Sequence, residues 1–337
     1  MKNTPLDLVL PQFIPITPSN AGLQTITASW PCRWAYWSMD LYFTGWGADT
    51  SAQVLTACTE IRVKCNDIVI QRVDATALNL INQYYKVQAF NIATMPWLSL
   101  FHRKLGVRGG VQGFDPVAMK LYSGSAPDVA LEPIMNTGSA NKAGQAITSL
   151  VVEIDIVGSP SGTPKITPYA QVTDFFPGGA GLMKYINKTN ILSQVSANNL
   201  LTKNQGLGFG DISHAQLDAF FLIPVTGTLD QFTFRFNNIP ILQRLAIYNY
   251  YMQTSDAIRT PTLPASGVMI PFEFEPNGYG DEVLAISDPS TDLELYFSDT
   301  VSESTEVVQV SQGYPFGLPD SMATTTGTAA PNTSTGS

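Results

Sequence analysis

Arg62-Val63-Lys64-Cys65-Asn66-Asp67-Ile68-Val69-Ile70-Gln71-Arg72 reads as a strand, an Asn-containing turn and a second short strand ending in Gln-Arg. Phe234-Arg235-Phe236-Asn237-Asn238-Ile239-Pro240-Ile241-Leu242-Gln243-Arg244 does the same, 172 residues on when Arg72 is set against Arg244. Asn-Asp and Asn-Asn suit a tight hairpin because both residue types tolerate positive φ. A helical pattern follows each copy, carrying Tyr84 and Tyr85 in the first and Tyr250 and Tyr251 in the second. The offset is about half of the 337 residues, so the chain reads as two copies of one domain.

Working outward, strict apolar and polar alternation recurs on both sides of these hairpins. It is clear in Val152-Glu153-Ile154-Asp155-Ile156, in Ile270, Phe272 and Phe274 against Pro271, Glu273 and Glu275, and in Leu293, Leu295 and Phe297 against Glu294, Tyr296 and Ser298. Short alternating runs divided by Gly, Pro, Asn and Asp predict an all-β sandwich or barrel. Helical spacing is scarce. It follows Asp74, a suitable N-cap, at Leu78, Ile81 and Tyr85, and recurs at Leu245, Tyr248 and Met252. Ser213-His214-Ala215-Gln216 has the spacing of a capped single turn. No apolar run reaches the length of a membrane-crossing helix, and the densest, residues 219–225, is strand-sized.

The expected organisation is an extended N-terminal arm over 1–19, a first sandwich over 20–158 and a linker over 159–168. A second sandwich follows over 169–312, then a flexible tail over 313–337. The linker expectation rests on the Gly, Pro and Ser of 158–164. Residues 94–144 form a long excursion of the interaction-loop kind, with 254–267 as its shorter counterpart.

Charged residues make up 13% of the chain, against roughly 25% in an ordinary soluble domain. Few charges fit surfaces that subunits bury against one another, and equally a neutral, polar lectin or adhesin. The net charge of −9, with only Lys2 basic before Arg33, argues against direct nucleic-acid binding. Cys32, Cys58 and Cys65 cannot all pair within one chain and lack metal-site spacing, so reduced thiols are expected.

Chemistry finds little footing. His102 and His214 are the only histidines, and no Gly-x-Ser-x-Gly elbow occurs. Glu273 with Glu275, or Asp292 with Glu294, could serve glycoside hydrolysis, but each pair reads as the solvated face of a strand. Gly206-Leu207-Gly208-Phe209-Gly210 lacks the spacing of a phosphate loop. No catalytic residue, cofactor or metal site is expected. Asp281, Glu282 and Asp288 leave structural calcium open without EF-hand spacing. Along 34–43, alternation assigns Ala35, Trp37, Met39, Leu41 and Phe43 to a core. Trp34, Tyr36 and Tyr42 then face outward as a subunit-contact surface, or as a glycan platform in the lectin reading.

Together the segments 61–85, 217–225 (Leu-Asp-Ala-Phe-Phe-Leu-Ile-Pro-Val) and 231–251 resemble the double jelly-roll major capsid proteins of membrane-containing icosahedral bacteriophages, the corticovirus, autolykivirus and tectivirus-like group. The resemblance spans 20–312 as an architecture. It implies two tandem eight-stranded jelly-roll sandwiches with a few short helices. It also implies a homotrimer of pseudo-hexagonal outline that meets neighbouring capsomers and penton or minor capsid proteins. Such trimers tile an icosahedral virion shell above an internal membrane, after assembly in the bacterial cytoplasm. On that reading 94–144 is an outer tower. The amphipathic N-terminal helix of some members is not visible here.

Overall fold

The structure is a computed structural model. It describes residues 6–10, 13, 16, 22–101, 134–180, 183–194, 199–202, 213–256, 259–274, 284–285 and 293–317. The first half runs β1 (Leu6–Val9), β2 (Gln24–Trp30), β3 (Trp34–Thr44), α1 (Ser51–Ala57), β4 (Cys58–Cys65), β5 (Ile68–Val73), α2 (Ala75–Tyr84), β6 (Trp97–Phe101), β7 (Met135–Asn136), β8 (Leu150–Ile156) and β9 (Lys165–Asp174). The second runs β10 (Met183–Ser193), β11 (Asn199–Thr202), β12 (Ser213–Ile223), β13 (Leu229–Phe236), β14 (Ile239–Leu245), α3 (Ala246–Asp256), β15 (Ile270–Glu273), β16 (Leu284–Ala285), β17 (Leu293–Asp299) and β18 (Glu303–Tyr314).

Strand pairing repeats between the halves. One sheet of the first half is ordered β1-β9-β3-β6 with β7 on β3; its counterpart is β10-β18-β12-β15 with β16 on β12. The facing sheets are β2-β8-β4-β5 and β11-β17-β13-β14. Every strand of the first half thus has an equivalent nine strands on, and each half is a jelly roll of two four-stranded sheets plus one short added strand. Of the helices among the described residues, α2 and α3 correspond, while α1 has no partner in the second half. None is long and apolar enough to cross a membrane.

The repeated hairpins are β4-β5 and β13-β14. Asn66 and Asn237 have φ of 46° and 51°, and Asp67 and Asn238 of 66° and 62°, the two left-handed residues a type I′ turn requires. Each hairpin is also bulged at the same place. Val63 pairs Gln71 but Lys64 pairs Val69, and Phe234 pairs Leu242 but Arg235 pairs Pro240. Asn66 therefore matches Asn237 at an offset of 171, and Val63 matches Phe234 on the core side. The repeated Gln-Arg, at 172, lies one residue out of this register. The turn and the alternating apolar side chains are what the two copies share in space.

The halves are larger at the front and differently divided than the sequence suggests. Residues 6–9 are a paired strand, not an arm: β1 lies antiparallel to β9, and Leu10, Phe13 and Ile16 beyond it are buried in the first core. The stretch 165–174 is β9, paired along β3 from Trp34↔Asp174 to Thr44↔Lys165, so 159–168 is not a linker. Its Gly, Pro and Ser serve close packing instead. Ser161 Oγ donates to the Trp46 carbonyl at 2.9 Å and accepts from Ala48 N–H at 2.9 Å. A Cβ on Gly162 would collide with the Gly45 carbonyl. The boundary lies between Asp174 and Met183. At the other end β18 runs to Tyr314, and Phe316 beyond it is buried in the first core with its carbonyl accepting from Asn141 Nδ2, so 313–317 are ordered parts of the fold and not a flexible tail. The excursion 94–144 holds β6 and β7, and its residues 102–133 lie outside the described residues. By strand equivalence its counterpart follows β15, whereas 254–267 corresponds to the α2-β6 connection.

Two cores result. The second is dominated by phenylalanines: Phe220 meets Phe234 with ring centroids 5.5 Å apart, and Phe232 meets Phe272 at 5.0 Å. The first is larger and reaches into the second half. Strand β12 separates the two, giving Leu217, Phe220 and Leu222 to the second core and Ala219, Phe221 and Ile223 to the first. A strand covered on both faces reads as a continuous apolar run, which is why 219–225 is the densest in the sequence. The sheets also join, through parallel pairing of β5 and β10 at Ile186↔Gln71 and Asn187↔Arg72. The joined sheet runs β2-β8-β4-β5-β10-β18-β12-β15.

Candidate assembly surfaces

The seam between the halves is built on β5 and α2. Asp74 caps α2, its Oδ1 accepting from Ala77 N–H at 2.7 Å, while its Oδ2 takes Lys188 Nζ of β10 at 2.7 Å. Burial works against the Lys188 charge. The hydrogen bond and charge of Asp74, with Glu306 Oε1 at 3.2 Å, outweigh it and hold the ammonium above its usual range. At the far end of α2, Thr260 closes the last turn from the second half: its N–H donates to Tyr84 O at 2.9 Å and its hydroxyl to Gln83 O at 2.8 Å.

Beside that cap lies a buried ionic cluster. Arg259 Nε and Nη2 each approach Glu273 Oε1 at 3.0 Å, and Tyr84 OH donates to Glu273 Oε2 at 3.0 Å. The Arg259 guanidinium sits 4.6 Å from the centre of the Tyr85 ring. Tyr84 and Tyr85 pack edge-on to Phe221 of β12, centroids at 5.5 and 6.1 Å. Lys184 and Asp218 form a second buried pair at 2.9 Å. Burial raises the Asp218 carboxyl although Lys184 pulls it down. Glu273 is therefore not on a solvated strand face. Its outward neighbours are the first half of the same chain.

The matching surface of the second half has no such cover among the described residues. Helix α3 turns Ala246, Asn249 and Gln253 inward. The spacing Leu245, Tyr248 and Met252 marked the helix but not its buried side: Leu245 is 55% exposed and Tyr248 50%. Tyr251, at 62%, stacks with Tyr248 at 6.1 Å. Ile239 and Ile241 of the edge strand β14 extend the same apolar surface. The two tyrosine pairs are not equivalent, since Tyr84 ends α2 whereas Tyr250 and Tyr251 lie within α3.

Of the expected contact face Trp34, Tyr36 and Tyr42, only Tyr42 is on the outer side. A bulge at Trp37, between Tyr36↔Val172 and Ser38↔Gln171, reverses the alternation. Upstream of it Trp34 and Tyr36 point to the first core. Tyr36 is fully buried, its hydroxyl donating to Pro31 O at 2.7 Å. Trp37 turns outward and its indole N–H donates to Thr173 Oγ1 at 2.9 Å. Tyr42 gathers Trp97, at 4.5 Å, and Tyr169, at 6.0 Å, into an outer aromatic cluster. Trp97 and Tyr169 come from distant strands, and alternation within β6 and β9 is the signal that places them there.

A charged patch covers the outer face of β4 and β8. Arg62 bonds Glu153 Oε2 at 2.9 Å and Asp155 Oδ2 at 2.8 Å and also reaches Glu60; Lys64 bonds Glu153 Oε1 at 2.7 Å. Lys64, with Arg62, holds the Glu153 carboxyl below its usual range. Burial pushes Glu60 and Asp155 up, but Arg62 outweighs it, aided by Arg72 at Glu60 and by Thr25 at Asp155. Carboxyls lowered in the fold stabilise it above their unfolded pKa, roughly 4, and that stability is lost as pH falls through the folded values. The unfolding free energy from urea titrations is expected to drop from pH 5 to pH 3, by on the order of 1 kcal/mol per pair at most for partly exposed groups. Arg62→Met should flatten that slope; an unchanged slope would remove this patch as its cause.

Among the described residues no three His, Cys, Asp or Glu side chains group to hold a metal ion. Cys32, Cys58 and Cys65 are unpaired, and burial pushes the Cys58 thiol up to about 12, which makes it inert. Glu294 lies 3.8 Å from Arg235. His102, residues 206–210, Glu275, Asp281, Glu282, Asp288 and Asp292 lie outside the described residues, as does the His214 side chain.

Two jelly rolls side by side, with a shared sheet, define the chain as a double jelly roll. No family model and no curated protein matches the sequence. Solved structures do match in fold. The major capsid protein P2 from bacteriophage PM2 superposes with a TM-score of 0.66 at 15% identity, over 92% of this chain and 97% of that one. The STIV MCP gives 0.54 at 9% identity, over 93% and 98%. A chain from the atomic structure of Sulfolobus Turreted Icosahedral Virus gives 0.57 at 9%, over 93% and 91%.

Proposed function

We propose that this chain is the major capsid protein of an icosahedral virus, three copies forming a capsomer of pseudo-hexagonal outline. The duplication carries the reading. Three chains bring six like sandwiches, so near-sixfold tiling arises from threefold symmetry. The likeness in fold to the PM2 and STIV proteins, the low charge content and the exposed apolar side chains of β14 and α3 support it. The mechanism is burial of apolar and neutral polar surface between subunits, with no catalytic step. Neighbouring capsomers and penton or minor capsid proteins are its partners, above an internal membrane, in a virion of a bacteriophage assembled in the host cytoplasm. The acidic balance of the chain leaves genome contact to other components. Analytical ultracentrifugation of the purified protein should give a species of three times 36.5 kDa. A stable monomer at tens of micromolar that binds glycans would favour the lectin-like reading instead.

A further inference from the structure

The two halves of this chain show how one jelly roll receives the next. In the first half, the edge strand β5 and helix α2 are covered by β10 and β12 of the second. In the second half no such cover lies on the equivalent strand β14 and helix α3 among the described residues, and the burial differs position by position. At the offset of 171, Ile70 is 2% exposed and Ile241 43%, while Ala77 is 0% exposed and Tyr248 50%. Ile241 and Tyr248 stay apolar and aromatic although about half of each is exposed.

The complementary surface exists at the other end of the molecule. The equivalents of β10 and β12 are β1 and β3. β1 is an edge strand: its described pairing is to β9, and Leu6 and Val9 are 49% and 63% exposed. Phe221, which receives Tyr84 and Tyr85 on the outer face of β12, has as its counterpart on β3 the outer cluster of Tyr42, Trp97 and Tyr169. Among the described residues, an apolar helix face and the edge strand β14 thus match the edge strand β1 and an aromatic face.

We infer that β14 and α3 of one copy dock onto β1 and the Tyr42 cluster of a second copy, β14 pairing parallel to β1 as β5 pairs to β10. The inference rests on the capsomer reading and adds its seam. The contact is head to tail, so each copy uses two different surfaces and the assembly grows until the rotation closes it. Where Asp74 meets Lys188 in the internal seam, the position matched to Asp74 is Leu245, which makes the seam between copies the more apolar of the two.

Two measurements test this on the full chain. Tyr248→Asp with Tyr251→Asp places two charges on exposed positions, and it should weaken association by roughly 100-fold in ultracentrifugation while circular dichroism and melting stay those of the parent. Independently, cysteines introduced in pairs, at Asp7 or Val9 with Ile239 or Ile241, should give covalent dimers and trimers on oxidation. Neither partner alone should do so, because a disulfide needs Cα atoms within about 7 Å. If the parent is a trimer yet the double aspartate variant remains one and no cysteine pair crosslinks, this seam is wrong and the capsomer reading stands. A parent that is monomeric at every concentration overturns both. Should the aspartate variant fail to fold, the crosslinks decide alone.

Discussion

Phe220→Ala should lower the unfolding free energy by about 3–5 kcal/mol, and Phe221→Ala should lower it by a similar amount while changing the shape of the transition. Adjacent on β12, the two rings point to opposite cores. Phe220 is 1% exposed and packs on Phe234 and Phe274 inside the second sandwich. Its loss leaves a cavity there, and urea unfolding should remain a single transition at a lower midpoint. Phe221 is wholly buried against Tyr84 and Tyr85, so its loss opens the seam. With the seam weakened, the halves no longer share one cooperative unit, and unfolding followed by tryptophan fluorescence and by circular dichroism should separate into two transitions. All five tryptophans, Trp30, Trp34, Trp37, Trp46 and Trp97, lie in the first half, so fluorescence reports on that half alone. Coincident transitions in the Phe221 variant would show that Phe221 does not couple the sandwiches.

Hairpins and alternation were legible because their causes are local. Asn66-Asp67 and Asn237-Asn238 announce a left-handed turn, and Ile61, Val63 and Cys65, or Phe232 and Phe234, announce a core side, without reference to any other part of the chain. Alternation fails where a bulge adds a residue. Trp37 sits at such a bulge, and a single extra residue sends Tyr36 into the core. A bulge depends on what the neighbouring strand β9 requires, which lies more than a hundred residues away.

Composition misled in the same way at 159–168. Gly, Pro and Ser there look like a linker because flexible connections and tight backbone packing select the same residues. Only the position of Gly45 and Trp46 against Ser161 and Gly162 distinguishes them. Helix α3 was located by its apolar period, yet that period marks an exposed surface. Helical spacing reports that an apolar face will be covered; it does not say by which chain. The seam's polar groups carried no sequence signal, since Asp74 with Lys188 and Tyr84 with Glu273 are joined only by the docking of two jelly rolls.

Arg259→Met alone should destabilise the chain by about 3–5 kcal/mol, whereas Arg259→Met combined with Glu273→Gln should recover most of that loss. The side chains of Arg259 and Glu273 are 8% and 6% exposed. Burial opposes the arginine's charge, and the Glu273 carboxylate outweighs it, holding the guanidinium above its usual range. Removing the arginine leaves Glu273 buried with Tyr84 OH as its hydrogen-bond donor, close to the second buried carboxyl of Asp218. Neutralising Glu273 as well removes the stranded charge and keeps an acceptor for Tyr84. The measurement is a double-mutant cycle by urea unfolding at neutral pH. Additive losses would mean that the two groups act separately and that Arg259 does not support the acceptor offered to Tyr84. A recovered double variant would identify a pair that acts as a unit within the second half, where Arg259 keeps Glu273 charged and oriented as the acceptor for Tyr84 of α2 across the seam.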